Sequence, residues 1–270
     1  MTTASYRPTN YQPATRSRND SLKALPTTLH SEWIKLSTIR SNKAVLALTI
    51  ALNGLVSWAV ANFVTDQGEL FVDEVFAFST VFTAVFAAVA GILIFSSEAQ
   101  HGTLAPTLTA QPARLVIAAA KMLTAAAYGA VLGAAGLIAG IVGASIAGIE
   151  TGDTSTIADT SLWAVLFVSL ASILGLGVGM IARHSTAAIS GLLVWWLVVE
   201  NLLNAFVDPL FSRFLPFVAG NGLLAIEDDT ASAERLNAAL TRTEDALVFG
   251  SYAAVALIIG TVLLYRRDTN

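Results

Sequence analysis

Six stretches of about twenty apolar residues limit what this chain can fold into. They run over 44–64, 75–95, 116–148, 162–182, 187–207 and 247–265. At 1.5 Å per residue, a helix of about 21 residues is about 31 Å long, the thickness of a bilayer's hydrocarbon core. Barrel strands would instead alternate in polarity over about ten residues, so helices are expected. Only 13% of the 270 residues are charged, 55% are hydrophobic, and the mean hydropathy is +0.67. A soluble domain carries about 25% charged residues. This chain has too few to coat a surface in water, so lipid is the expected solvent for much of it. The expected fold is therefore an all-α membrane protein of six transmembrane helices.

Orientation follows from Lys and Arg. Seven precede the first span: Arg7, Arg16, Arg18, Lys23, Lys35, Arg40 and Lys43. Arg114 and Lys121 flank the start of the third, Arg183 lies between the fourth and fifth, and Arg266 and Arg267 follow the sixth. These twelve share one side. The other side holds Arg213, Arg235 and Arg242, and its first and third loops carry Asp66, Glu69, Asp73, Glu74, Glu150, Asp153 and Asp159 without a basic residue. Both termini are expected in the cytosol. The first 43 residues contain no run long enough for a signal-peptide core, so the first span is expected to be an uncleaved anchor.

The remaining segments divide by composition. Residues 1–20 are polar and read as a disordered cytosolic tail. Over 21–43, Leu22, Leu25, Leu29, Trp33 and Leu36 recur at steps of three and four with basic residues between them. That is the pattern of an amphipathic helix lying in the membrane interface, or of a short helix packed on a partner. Residues 44–267 hold the six-span domain. Arg183 to Thr186 is a tight turn that makes the fourth and fifth spans a hairpin.

Several chemistries are excluded. With no cysteine there is no disulfide, thiolate metal site or thiol nucleophile. None of the four lysines follows a glycine, so there is no G-x-x-x-x-G-K-[ST] loop to cradle a nucleotide phosphate, and His30, His101 and His184 form no H-E-x-x-H. No nucleophile motif has a base partner, which leaves an intramembrane hydrolase unsupported. The net charge of −4 argues against nucleic acid.

Four features invite function. In the loop 96–115, Gly102 and Pro112 delimit Thr103–Ala110, which reads as a short helix along the cytosolic surface or as an ordinary loop with Arg114 anchoring headgroups. In the third span, Ala126, Gly129, Gly133, Gly136, Gly140, Gly143 and Ala147 form a stripe of small residues, suited to close helix packing within the subunit or to a moving surface. Gly175, Gly177 and Gly179 are expected to weaken the fourth span or to ease its packing. Glu200 is the one ionisable residue deep in a span, and must face protein or water. It reads as part of a pathway with Asn201 and Asn204, which are near enough to share its hydrogen bonds, or as a carboxyl bonding a neighbouring helix. Trp195 and Trp196 have no polar company in sequence and are expected to face lipid or a subunit contact. Beyond the fifth span, Pro209, Pro216, Gly220 and Gly222 interrupt an apolar segment too broken to cross. Glu227, Asp228, Asp229 and Glu234 then mark an exposed loop, and Thr241-x-x-Glu244 a capping box for the last span.

The order and spacing of three segments resemble the membrane subunit of ABC-2 type transporters, over residues 29–267. They are Leu29-His30-Ser31-Glu32-Trp33-Ile34-Lys35-Leu36, then Glu98-x-x-His101-Gly102-Thr103 with Pro112-x-Arg114 and Lys121, then Arg213-Phe214-Leu215-Pro216-Phe217 with Gly220-Asn221-Gly222-Leu223. The resemblance implies an interfacial connecting helix near 28–42. It also implies a coupling helix over 98–112, with Glu98, His101, Gly102, Thr103, Pro112 and Arg114 docking on an ATPase. Over 209–226 it implies re-entrant external helices at the exit. It further implies a non-hydrolytic permease half of a bacterial ABC exporter in the cytoplasmic membrane, paired with a second permease subunit as homodimer or heterodimer. No cofactor is expected on this chain, with ATP and Mg on the partner ATPase. The alternative from another class is a membrane sensor or assembly protein that transports nothing.

Overall fold

A computed structural model describes residues 24–63, 70–226 and 233–266. The expected N-terminal tail, Glu227–Asp229 and Arg267 lie outside the described residues. The chain is all-helical there. Helix α1 is Leu25–Thr38, α2 Arg40–Phe63, α3 Val72–Gln100, α4 Leu104–Ala110, α5 Arg114–Ile146 and α6 Thr154–Ala182. Next come α7 (Ser185–Val194), a π-helical turn (Trp195–Val199) and α8 (Glu200–Phe206), followed by α9 (Pro209–Ser212), α10 (Pro216–Gly222), α11 (Ala233–Ala238) and α12 (Arg242–Arg266). Six of these are long and apolar enough to cross a membrane: α2, α3, α5, α6, the run Ser185–Phe206 and α12.

The structure divides the 21–43 segment differently from the sequence pattern. Ile39 is extended, so α1 ends at Thr38, and Arg40 and Lys43 already belong to α2. The side chain of Asn42 bonds back to the carbonyl of Leu36 at 3.0 Å, and Tyr128 of α5 donates to the carbonyl of Asn42 at 2.7 Å, fixing the corner. The buried positions of α1 are Glu32 and Leu36, while Trp33 is 43% exposed. The helix is held by a charge as well as by its apolar side.

Helices α3 and α6 form the centre of the bundle, and small residues let their backbones touch. A Cβ on Gly91 would lie 2.0 Å from the Ser172 carbonyl oxygen, and one on Gly175 2.0 Å from that of Ala88. Gly177 likewise faces the backbone of Ala256 in α12. The three glycines of the fourth span are thus close-packing positions in an unbroken helix, not bends. The α5 stripe is used in the same way inside this chain. Gly129 and Gly133 meet α6, Gly136 and Gly140 meet α3, and Gly143 meets Gly54 of α2.

Helix α2 inverts the rule of a soluble protein. Its buried side is Thr49, Asn53, Ser57 and Ala61, at steps of four, and its exposed side carries Leu48, Leu55 and Trp58. Thr83 donates to Asn53 Oδ1 at 2.9 Å and Ser57 to Ser79 at 3.1 Å. Where lipid is the solvent, apolar surface gains nothing from burial between helices, and short polar side chains with small neighbours join them instead. The outside of the bundle is accordingly apolar, with Ile138, Ile146, Leu162, Val255 and Ile258 all exposed.

Turn chemistry sets the corners. Gly102 closes α3 in the left-handed region at φ 70° with no atom within 4 Å of a Cβ, so its backbone alone requires glycine. Arg183 caps α6 in the same region at φ 55°, giving the tight α6–α7 turn. Asp153 caps the start of α6 through the Ser155 amide. That helix begins a full two turns earlier than hydropathy suggested, which puts Asp159 on a helix rather than in a loop. The Thr241–Glu244 capping box forms, with Thr241 N to Glu244 Oε2 at 2.8 Å.

Candidate functional site

Two groups of polar residues lie at opposite ends of the bundle. At the end holding α1 and α4, four charges from three helices form a closed ring. Lys121, in the second turn of α5, is fully buried and meets Glu32 of α1 at 2.8 Å and Glu98 of α3 at 3.0 Å. Lys35 of α1 meets the same two carboxylates, at 2.8 Å and 2.9 Å, from a 39% exposed position. Each carboxylate therefore touches both lysines. Lys121 also donates to the Ile94 carbonyl at 3.2 Å. Burial would raise the Glu32 pKa, but Lys121 and then Lys35 outweigh it and hold the carboxyl below its ordinary value. Burial likewise opposes the charge on Lys35, yet its bonds to Glu32 and Glu98 hold its pKa above the usual value.

Beside this ring lies α4. Leu104 is buried in a cluster with Phe95 of α3, Ala118 and Ala125 of α5, Leu176 and Met180 of α6 and Leu264 of α12, and Leu108 packs against it. Pro106, Thr109 and Ala110 face outward. Of the residues expected to couple, Glu98 belongs to the ionic ring. His101 caps α3 and contacts the Ser97 carbonyl at 2.7 Å, and Gly102 and Thr103 form the turn into α4. Pro112 lies in the link to α5. Arg114 reaches across to α12, donating to the Leu264 and Tyr265 carbonyls at 2.5 and 3.0 Å, where a helix end leaves acceptors unfilled.

At the opposite end, α10 is inserted between the spans. Phe217 stacks on Trp196 at 3.9 Å between centroids and 7° between planes, and meets Phe249 of α12 at 5.8 Å. Phe167 of α6 completes the aromatic group against Trp196 and Phe249. Pro209 and Pro216 open α9 and α10, and so start helices rather than break one. Gly220 and Gly222 are close-approach positions. A Cβ on the first would lie 2.5 Å from the Phe167 ring, and on the second 2.2 Å from Asp245 Oδ2.

Glu200 ties α10 to the fifth span. Its carboxylate accepts from Val218 N at 2.6 Å and from Trp195 Nε1 at 3.0 Å, and the Phe217 amide also faces it. It caps α10 in place of the side chain that Leu215 cannot provide. Asn201 and Asn204 do not share its bonds, contrary to the expectation from spacing. Asn201 donates to the Trp196 and Leu197 carbonyls, and the Asn204 carbonyl accepts from Arg235. Trp195 has polar company after all, and Trp196 is buried rather than lipid-facing. The π turn explains both differences: five residues per hydrogen-bonded step brings Trp195 and Glu200 into line, and shifts every later residue off the α-helical register.

Glu200, Asn201, Asn204, Asn221, Arg213 and Asp245 line a cavity of about 880 Å³ among α8, α10, α11 and α12. A second, apolar cavity of about 700 Å³ lies between α2 and α5 beside Trp58. Among the described residues, no three His, Asp or Glu are placed to hold a metal ion.

Comparison with known proteins bears on this architecture. A family model described as ABC-2 family transporter protein matches residues 28–212, from within α1 to the end of α9. No curated protein matches the sequence. With more than half of its length matched, the chain belongs to the ABC-2 transporter family, as a multi-pass membrane permease of the ABC transporter type.

Proposed function

We propose that this ABC-2 family member is the membrane-spanning half of an ATP-driven exporter. It pairs with a second permease subunit, a copy of itself or a related chain, and is driven by a separate ATPase that carries ATP and Mg²⁺. The basic-residue count supports both termini in the cytosol, an orientation in which the α1 and α4 end faces the cytosol and α10 the exit.

The observation that carries this reading is the mounting of α4. Its outer side is free, and its inner side is set into a cluster shared by α3, α5, α6 and α12. The ionic ring binds α1 to α3 and α5 next to it. A partner pressing on α4 acts on four spans at once, because packed elements move as units rather than deform. Glu98 serves this reading by holding the root of the lever, while Pro106, Thr109 and Ala110 offer the contact surface.

The test is copurification. An ABC ATPase of the same cell should be retained by the tagged chain. Its hydrolysis in proteoliposomes should depend on α4. A chain that retains no ATPase, or that hydrolyses ATP alone, would refute the half-transporter reading.

A further inference from the structure

The cavity beneath α10 contains a carboxylate that has no donor of its own. Asp245, in the first turn of α12, is 6% exposed and lines the cavity. Among the described residues, none donates a hydrogen bond to its carboxylate, and its chain neighbour Glu244 has the same charge. A buried carboxylate without a partner is costly, and the local backbone is shaped to admit it. Gly222 lacks the Cβ that would otherwise stand 2.2 Å from Asp245 Oδ2. Next to Gly222, the Oδ1 of Asn221 is buried without a donor. Asp245 thus lines the cavity without a donor, and Asn221, beside Gly222, holds a second acceptor without one.

The other walls are aromatic and cationic, and the cations are already engaged. Trp196 and Phe217, stacked on each other, both line the cavity. Arg242 pairs with Asp159 and reaches Thr160, and Arg235 donates to the Asn204 carbonyl. Arg213 donates to the Ala238 carbonyl, lies over the Phe214 ring and is within the field of Glu244. Its Nε is buried without an acceptor, a single unfilled donor against the two unfilled acceptors.

We propose that this cavity is a subsite for an organic cation, whose protonated nitrogen is held by the Asp245 carboxylate while its apolar body lies against Trp196 and Phe217. The carboxylate without a donor and the aromatic rings favour such a ligand over an anion of the same size, since the arginines of the other walls already donate to other acceptors. The role of the ligand as cargo rests on the exporter reading, whereas its binding does not.

The probe is rhodamine 6G, a lipophilic cation with N–H donors, added to the full chain in nanodiscs of neutral lipid and followed by fluorescence anisotropy above empty discs. Saturable binding is expected, at least tenfold weaker in Asp245→Asn, which keeps the shape and loses the charge. Carboxyfluorescein, an anion of similar size, should not bind saturably. Absence of saturable rhodamine binding, equal affinity in Asp245→Asn, or saturable binding of the anion alone overturns the proposal. A second measurement does not depend on how well that variant folds. The chain has no cysteine, so Ala239→Cys places a single thiol at the cavity wall. Rhodamine 6G should slow its maleimide labelling, and labelling at an unchanged rate overturns the proposal as well. Neither readout uses ATP or a partner, so failure here and failure of the exporter reading are separable.

Discussion

Trp195 and Glu200 are five residues apart on one span and hydrogen-bonded to each other, Nε1 to Oε2 at 3.0 Å. That bond requires the π turn, and it leaves the other oxygen of Glu200 free to cap α10 through Val218 N. The carboxylate accepts at both oxygens, so its replacement should follow acceptor count. Glu200→Gln keeps one acceptor and presents an amide to donors, which should cost about 1–3 kcal/mol. Glu200→Leu leaves both donors empty in a buried site and should cost more. Thermal denaturation in detergent should rank wild type, Gln and Leu in that order, and an unshifted Leu variant would disprove the capping role.

The ionic ring predicts unequal lysines. Lys121→Met leaves the buried Glu32 and the largely buried Glu98 with one half-exposed lysine, and should destabilise by about 3–5 kcal/mol. Lys35→Met removes the solvent-facing member and should cost about 1 kcal/mol or less. Reversal of this order in unfolding experiments would show that burial does not govern the ring.

The same ring fixes a pH dependence. The Glu32 carboxyl titrates below its ordinary value of 4.5 in the folded chain. Its contribution to stability is therefore complete above about pH 4.5 and lost as pH falls below that through the folded value. Lys35 titrates above 10.5, so its contribution is complete below that and lost at more alkaline pH. Wild type should lose thermal stability more steeply than Glu32→Gln on acidification below pH 4.5, and the two should run parallel from pH 6 to 9. Parallel curves at acid pH would exclude the linkage.

Substitutions on the outer side of α4 should separate coupling from folding. Thr109→Arg and Ala110→Arg are at exposed positions and should change stability by no more than about 0.5 kcal/mol. Retention of the ATPase and ATP-dependent transport should nevertheless fall at least tenfold. Full retention with full transport would place the contact elsewhere.

Glycines of different surroundings should behave oppositely. Gly220→Ala drives a Cβ into the Phe167 ring and should cost about 1–3 kcal/mol through displacement of α10. Gly191→Ala in α7 has no atom within 4 Å of the added carbon and should be neutral, or should stabilise by about 0.5–1 kcal/mol. Equal effects at the two sites would mean that α10 is not seated as tightly as its contacts indicate.

Hydropathy made the six spans legible, because twenty apolar residues have few other uses. The corner at Arg183 was readable for the same reason. The polar interior of α2 was also written in the sequence, as Thr49, Asn53, Ser57 and Ala61 at steps of four, but a search for apolar stripes passes over it. The partners of Glu32 and Glu98 could not be read, since Lys121 is 89 residues from Glu32 and only the packed bundle joins them. One signal was available: a lysine in the second turn of a span needs an acid nearby. The π turn leaves no trace in composition, and α-helical spacing alone points from Glu200 to Asn201 and Asn204.

The last span packs chiefly on α6, with the Gly177 surface against Ala256, and not on α7, which precedes it in the bundle. About 60 residues separate the end of α6 from the start of α12. At ribosomal rates of about 5–20 residues per second, the α6 groove stays uncovered for roughly 3–12 s during synthesis. In that interval Phe217 lacks the ring of Phe249. The aromatic group around Phe217 is thus completed only when the final helix arrives, and a chain truncated before Arg242 retains five spans but lacks the Phe249 side of that group.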